Sequence, residues 1–295
     1  MARAEEIDGL DCEGSVHAGA LLVLRARLHE VWTLREKALD FTDIEGVHDM
    51  RVASRRLRSA LRDFAPFLRK AVPQRRLKAL ADALGLVRDE DVAIEALEKL
   101  RAKAPEQLAN GIAHVTDERR WKRERAREAL ESALSEDALA AMQEKYSARF
   151  ERALRPPLET GENAEEHKAP AVSFRHAGRE IILARFRELQ DLSLSLYHPF
   201  RIKELHRMRI AAKRLRYAIE LFSSCWGESL LEMAKEIAAL QSSLGELHDC
   251  DVWIIDLGAR LDARGPGQRA EGAQQMEGHA RQAGVWLLGH FVKER

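Results

Sequence analysis

The chain has 295 residues, enough for one large domain or two small ones around a substantial core. Alanine, leucine, arginine and glutamate dominate while glycine and proline are sparse, a mix that favours helix almost throughout. Lys plus Arg equals Asp plus Glu, 48 each, so a site for a charged partner has to come from local clustering rather than from global excess.

The opening residues, 1–14, are polar and acidic, lack the apolar core of a signal peptide, and read as a flexible N-terminus. Helical periodicity then covers 17–39 and gives way to the acidic connector "DFTDIEG". A helix follows in "VHDMRVASRRLRSALRDF", residues 47–64, then a break near Pro73, the helix beginning "RRLKALADALGLVRDEDV", and further helices across 109–154. The proline-, glycine- and charge-rich segment 156–170 reads as a linker between a first half, 15–155, and a second, 171–295. The second half has a helix from 172, a connector at Pro199, "LHRMRIAAKRLRYAIELF" at 205–222, and "EIAALQSSLGELHDCDVWIIDL". The loop "ARGPGQRAEG" then precedes a last helix carrying Trp286 and Phe291. No apolar run is long enough to span a bilayer, so a cytoplasmic protein with no membrane partner is expected. Cys12, Cys225 and Cys250 are an odd number without CxxC spacing, which argues against a zinc site or disulfide framework and fits a reducing compartment.

Two segments recur in order. His48, Met50, Arg51, Ala53, Arg56, Leu57, Arg58, Ala60 and Phe64 match His206, Met208, Arg209, Ala211, Arg214, Leu215, Arg216, Ala218 and Phe222, each 158 positions later. "LGLVRDEDV" and "LGELHDCDV" match at an offset of 160. Two motifs kept in step argue for a duplicated half within an all-α fold.

On a helical wheel Met50, Ala53, Leu57, Leu61 and Phe64 form an apolar stripe for the core. His48, Arg51, Arg55, Arg58 and Arg62 form a second stripe, with His206, Arg209, Lys213, Arg216 and Glu220 at the matching places. A solvated face would interleave acids to gain i,i+4 pairs, yet the first stripe contains none, and like charges one turn apart destabilise a helix. An anionic ligand is therefore expected on these stripes, with Arg88 and His248 as additions. Asp89, Asp91, Asp249 and Asp251 have two readings: helix capping, or holding stripe arginines by bidentate pairing. Gly85 and Gly245 would admit the close approach of a neighbouring helix or of a ligand, helix packing being favoured. No nucleotide-binding glycine loop, HExxH or Ser/Cys nucleophile beside a histidine is present, and the arginines would repel a metal, so neither catalysis, nor a cofactor, nor a metal is expected.

"HDMRVASRRLRSALRDF", "LGLVRDEDV" and their second copies resemble the CHAD domain, the conserved histidine α-helical domain, over most of the chain from about residue 15. The resemblance implies two pseudo-symmetric helical bundles around a central basic channel. It also implies binding of inorganic polyphosphate, with phosphate or sulfate as mimics, and association with polyphosphate granules. His48, Arg51, Arg55, Arg58, His206, Arg209, Lys213 and Arg216 would line the channel; Arg56 and Arg214 point away on the wheel and rank lower. His248 departs from the arginine usual in its motif, and the ExExK motif of a companion triphosphatase-type domain is absent, which suggests a stand-alone protein. Nucleic acid, or an acidic protein docked on the same stripes, are the alternatives; no aromatic residue in the stripes offers a base a stacking platform.

Overall fold

The computed structural model describes residues 7–155, 172–263 and 271–295, and the linker expected at 156–170 lies outside them. The described residues form an all-α protein. The first part holds α1 (Val16–Thr33), α2 (Arg35–Leu39), α3 (Ile44–Asp63), α4 (Arg75–Arg101), α5 (Glu106–Ala133) and α6 (Glu136–Leu154). The second holds α7 (Phe174–Gln190), α8 (Ile202–Phe222), α9 (Glu228–Ala263) and α10 (Glu271–Glu294). The motif helices are α3 and α8, each followed by the long helix, α4 or α9, that carries the second motif.

Local chemistry sets the helix ends. The Ser15 hydroxyl accepts from the His17 amide at the start of α1, and the Asp43 carboxylate accepts from the Glu45 amide at the start of α3. The helix expected over 17–39 is interrupted at Leu34. There the Thr33 hydroxyl donates back to the Glu30 carbonyl, and Arg35 is drawn to the Leu134 carbonyl at 2.8 Å.

The apolar stripe of α3 is buried as its spacing requires: Met50, Ala53, Leu57, Leu61 and Phe64 all lie in the core. Phe64 meets its motif counterpart Phe222 edge-on at 5.9 Å, and Phe174 from α7 lies 4.8 Å from Phe222. The C-terminal ends of the two motif helices therefore meet in one core, which also takes in residues of α1, α4, α6 and α7. A separate apolar cluster, with Leu97, Ile112, Trp253 and Leu287, joins α4, α5, α9 and α10. At that junction Gly111 permits the approach of α10, since a Cβ there would sit 2.3 Å from the His279 carbonyl oxygen.

The cysteine expectation needs correction. Cys12 and Cys225 form a disulfide with a Cα–Cα separation of 5.6 Å, across 213 positions of sequence. Counting cysteines failed because these two are brought together only by the fold. Residues just ahead of α1, expected to be flexible, are held by the same contact. The Arg175 amide donates to the Cys12 carbonyl, the Phe174 amide donates to the Gly14 carbonyl, and Ser15 bridges Ser173. Crosslinking so long a loop restricts the unfolded chain, so Cys12→Ser should lower unfolding stability by about 2–4 kcal/mol. Denaturant titration of the oxidised protein and of the variant checks this; equal midpoints would show that the crosslink constrains nothing.

Candidate anion-binding site

The stripe of α3 lies half-buried along its length, at His48, Arg51, Arg55, Arg58 and Arg62. In α8, His206, Arg209 and Lys213 are likewise half-buried, whereas Arg216 is fully buried. The two stripes converge. Lys213 is pushed down to about 7, by burial first and then by Arg55, Arg209, Arg51 and Arg214 around it. Arg62 lies beside Arg214, Arg185 and Arg58, and burial followed by these charges lowers its pKa.

The cations divide into two groups. Arg55, Arg58, Arg62, Arg209 and Lys213 have no carboxylate within salt-bridge distance among the described residues, and the Nε atoms of Arg58 and Arg209 are buried without a hydrogen-bond partner. The others are engaged. Arg51 pairs with Asp89 at 3.0 Å and Arg88 with Glu45 at 3.6 Å. Arg214 pairs with Glu188, and Arg216 donates to Glu220 at 2.8 Å and to Gln241 at 2.9 Å. Arg56 is buried between Glu30 at 3.4 Å and Glu220 at 3.7 Å, facing away from the stripe as the wheel indicates. Elsewhere, as at Arg119, Arg123, Arg127, Arg185 and Arg260, arginines are paired with acids. Among the described residues, exposed arginines without an acid occur elsewhere, as at Arg75, Arg125, Arg179 and Arg187; what marks the α3 and α8 group is that its members are half-buried and close together.

The second motif seats against the head of the first. Gly85 lies under the Arg51 guanidinium, where a Cβ would reach its Nε at 3.8 Å, and Gly245 lies under Arg209 at 3.6 Å. No backbone of a neighbouring helix lies within 4 Å of either added Cβ, so the favoured reading of close helix packing is not what these glycines serve; the motif arginines lie against them at ordinary contact distance. Arg88 acts on His48, and His248 packs against His206 with the rings tilted and their centroids 4.5 Å apart. All three histidines are held below the ordinary value, by burial before any charge; the leading charges are Arg88 for His48, and Arg209 for His206 and His248. They favour the neutral form in the empty site.

The acids of the second motif lie inside long helices, so the capping reading is wrong for all four. Asp89 holds Arg51, as the pairing reading had it. Asp249 feels both Arg209 and Asp89 across the site, but burial dominates and raises its pKa. The other two brace the bundle instead of the stripe. Asp91 is buried against Arg123 at 3.6 Å and Arg127 at 3.9 Å of α5, and Asp251 pairs with Arg295 after α10.

The one grouping of metal-ligating type among the described residues is Glu45, His48 and Asp49. Its carboxylates are already engaged, Asp49 with Lys37 at 2.7 Å and Glu45 with Arg88, so a cation would have to displace two ion pairs. Sequence reading missed Arg185, Asp63, Glu188 and Gln241. Arg185 on α7 pairs with buried Asp63 at 2.8 Å and extends the cationic cluster beside Arg62. These residues belong to neither motif, and no local spacing marks them.

Comparison with known proteins gives a consistent family. Residues 22–257 match the family model described as CHAD domain. The crystal structure of the CHAD domain from the plant Ricinus communis is similar, with a TM-score of 0.75 and 25% sequence identity, over 99% of this chain and 90% of that one. PptA from Streptomyces chartreusis is similar in fold, with a TM-score of 0.66 and 17% identity, over 95% of each chain. No curated protein matches significantly.

Proposed function

The chain belongs to the CHAD domain family, and on that premise we propose that it binds inorganic polyphosphate without transforming it. In this reading α3 and α8 are the facing walls of a basic channel between two related halves, and the protein associates with polyphosphate granules. One observation carries it: Arg55, Arg58, Arg62, Arg209 and Lys213 approach one another from two helices without acidic partners. Burying like charges together destabilises an empty site, and a linear polyanion relieves it on both walls. Guanidinium forks suit phosphate oxygens, and affinity should depend steeply on salt through counterion release. The alternative polyanion, single-stranded nucleic acid, gains most where bases stack on aromatic rings, and the stripe residues include none.

Competition tests the proposal. Long-chain polyphosphate should displace labelled single-stranded RNA of matched total charge, and the RNA should fail to displace polyphosphate. Preferential retention of RNA would transfer the site to nucleic acid.

The pH dependence has a definite sign. Lys213 titrates at about 7 in the empty site instead of its ordinary 10.5, and a bound polyanion would return it toward that value. Binding then takes up a proton across this window, and affinity rises as pH falls through it. Between pH 8 and pH 6 the gain from Lys213 alone is about tenfold, with the lowered histidines adding in the same direction at the acidic end. Ligand-free stability runs the other way. Above pH 7 the unfolded chain holds the Lys213 proton that the folded chain has shed, so the empty protein gains stability as pH rises toward 10.5. Calorimetric titration in buffers of different ionisation heat measures the uptake; equal affinity at both pH values would remove Lys213 from the site.

A further inference from the structure

The connector ahead of α8 has no counterpart in composition ahead of α3, although the two occupy matching places. At the motif offset of 158, Glu36, Asp40, Asp43, Glu45 and Asp49 of the first half become Leu194, His198, Arg201, Lys203 and Arg207. In the same register Ala38 and Thr42 become Leu196 and Phe200. An acidic connector has been replaced by an apolar and basic one.

The structure presents this segment outward and holds it firmly. A 3-10 helix, Ser193–Tyr197, runs into Pro199 and Phe200. Its three-residue turn places Leu194 and Tyr197 in line, and Phe200 follows at the same interval. These side chains are 69%, 78% and 84% exposed, and Leu196 between them is 49% exposed. Buried Ser195 anchors the turn, its hydroxyl donating to the Leu192 carbonyl and lying 3.4 Å from the Met208 sulfur. Arg295 donates to the Pro199 carbonyl at 2.7 Å and stacks over Phe200 with its guanidinium carbon 5.4 Å from the ring centre. His198, Arg201, Lys203 and Arg207 are exposed around the patch. Of the nearby acids, Glu204 is paired with Arg201 at 3.3 Å and Asp251 with Arg295, while Asp191 stands at the segment's start and Glu294 beside Arg295.

We infer that this turn is a docking element for an anionic phospholipid surface, with Leu194, Tyr197 and Phe200 entering the acyl boundary and Arg201, Lys203 and Arg207 meeting the headgroups. Exposed leucine and aromatic tips rimmed by cations are the composition that binds at a bilayer interface. Protruding side chains fit a deformable medium better than a rigid concave partner. Two-fold docking onto a second copy would set the cationic rims against each other, which disfavours self-association. Surface contact requires no spanning segment, and no described helix is long and apolar enough to cross a membrane. The inference is independent of the polyphosphate reading, because the patch shares no residue with the α3 and α8 stripes.

Flotation of the full chain with phosphatidylcholine vesicles, with and without phosphatidylglycerol, tests it. Binding is expected only to the anionic vesicles, and Leu194→Ser/Tyr197→Ser/Phe200→Ser should weaken it at least about tenfold while leaving the melting temperature and polyphosphate binding unchanged. A charge variant, Arg55→Ala/Arg58→Ala, should bind the vesicles like wild type, which separates the patch from the stripes. Absence of vesicle binding, or equal binding by the triple-serine variant, overturns the inference. So does a change of oligomeric state in that variant without vesicle binding, which would assign the patch to a second copy.

Discussion

Arg55→Ala/Arg209→Ala should weaken binding of defined-length polyphosphate by roughly 100-fold or more at low salt. Each guanidinium would make charge-assisted hydrogen bonds worth about 1.5–3 kcal/mol, and neither has an acid to satisfy it when the site is empty. Because affinity is carried by counterion release, the double substitution should also flatten the salt dependence, lowering the slope by roughly one to two. Arg120→Ala provides the control, since that exposed arginine is already paired with Glu98 and Asp117 away from the stripes. The ligand-free double variant should melt no lower than wild type, because two members of a like-charged cluster have gone. Titration calorimetry across a salt series reads both affinity and slope; a loss no larger than that of Arg120→Ala would remove these residues from the binding surface.

Arg56→Ala should have the opposite profile, a large loss of stability with little direct effect on ligand contacts. Arg56 is 7% exposed and lies against Glu30, which is 5% exposed, and Glu220. Glu30 also holds Arg27 at 2.8 Å, so α1, α3 and α8 share one buried ionic network. Removing Arg56 takes one charged partner from each of Glu30 and Glu220, which keep Arg27 and Arg216 respectively, and loses its buried charge-assisted contacts, a penalty of about 1.5–3 kcal/mol. In a domain of this size that lowers the melting temperature by roughly 3–10 °C. Arg56→Met, which refills the buried space without the charge and leaves Glu30 with Arg27, should recover part of the loss. A melting temperature for Arg56→Ala within a degree or two of wild type would show that the network is dispensable. The same substitution tests the wheel: Arg56 differs from Arg55 by one position yet belongs to the core-facing side.

Helix periodicity made much of this legible in advance. Once α3 and α8 are helices, 100° per residue fixes which side of each carries Met50, Leu57 and Phe64 and which carries Arg51, Arg55 and Arg58. Partner choice was not legible, because it depends on residues brought in from other helices. The wheel ranked Arg216 with the stripe, but Gln241 from α9 and Glu220 hold it in the interior. Asp89 and Asp91 are two residues apart, so their side chains point to different neighbours: one serves the stripe, the other the arginines of α5. Gly85 and Gly245 were legible as places of approach, but not that the Arg51 and Arg209 side chains are what lies against them. The pairing of Cys12 with Cys225 followed only from the fold, and the depressed Lys213 only from the sum of burial and four neighbouring charges. Near neutrality Lys213 has a larger share of the pH response than the histidines, a difference that no motif or spacing marks.

The converging cations of α3 and α8 should make the empty protein less stable than the occupied one, and thermal unfolding measures this directly. Saturating long-chain polyphosphate at low salt should raise the melting temperature by mass action. The rise should shrink as salt is added, and Arg55→Ala/Arg209→Ala should abolish most of it. No shift with wild type at low salt, or an equal shift in the double variant, would contradict a phosphate chain held between the two motif helices.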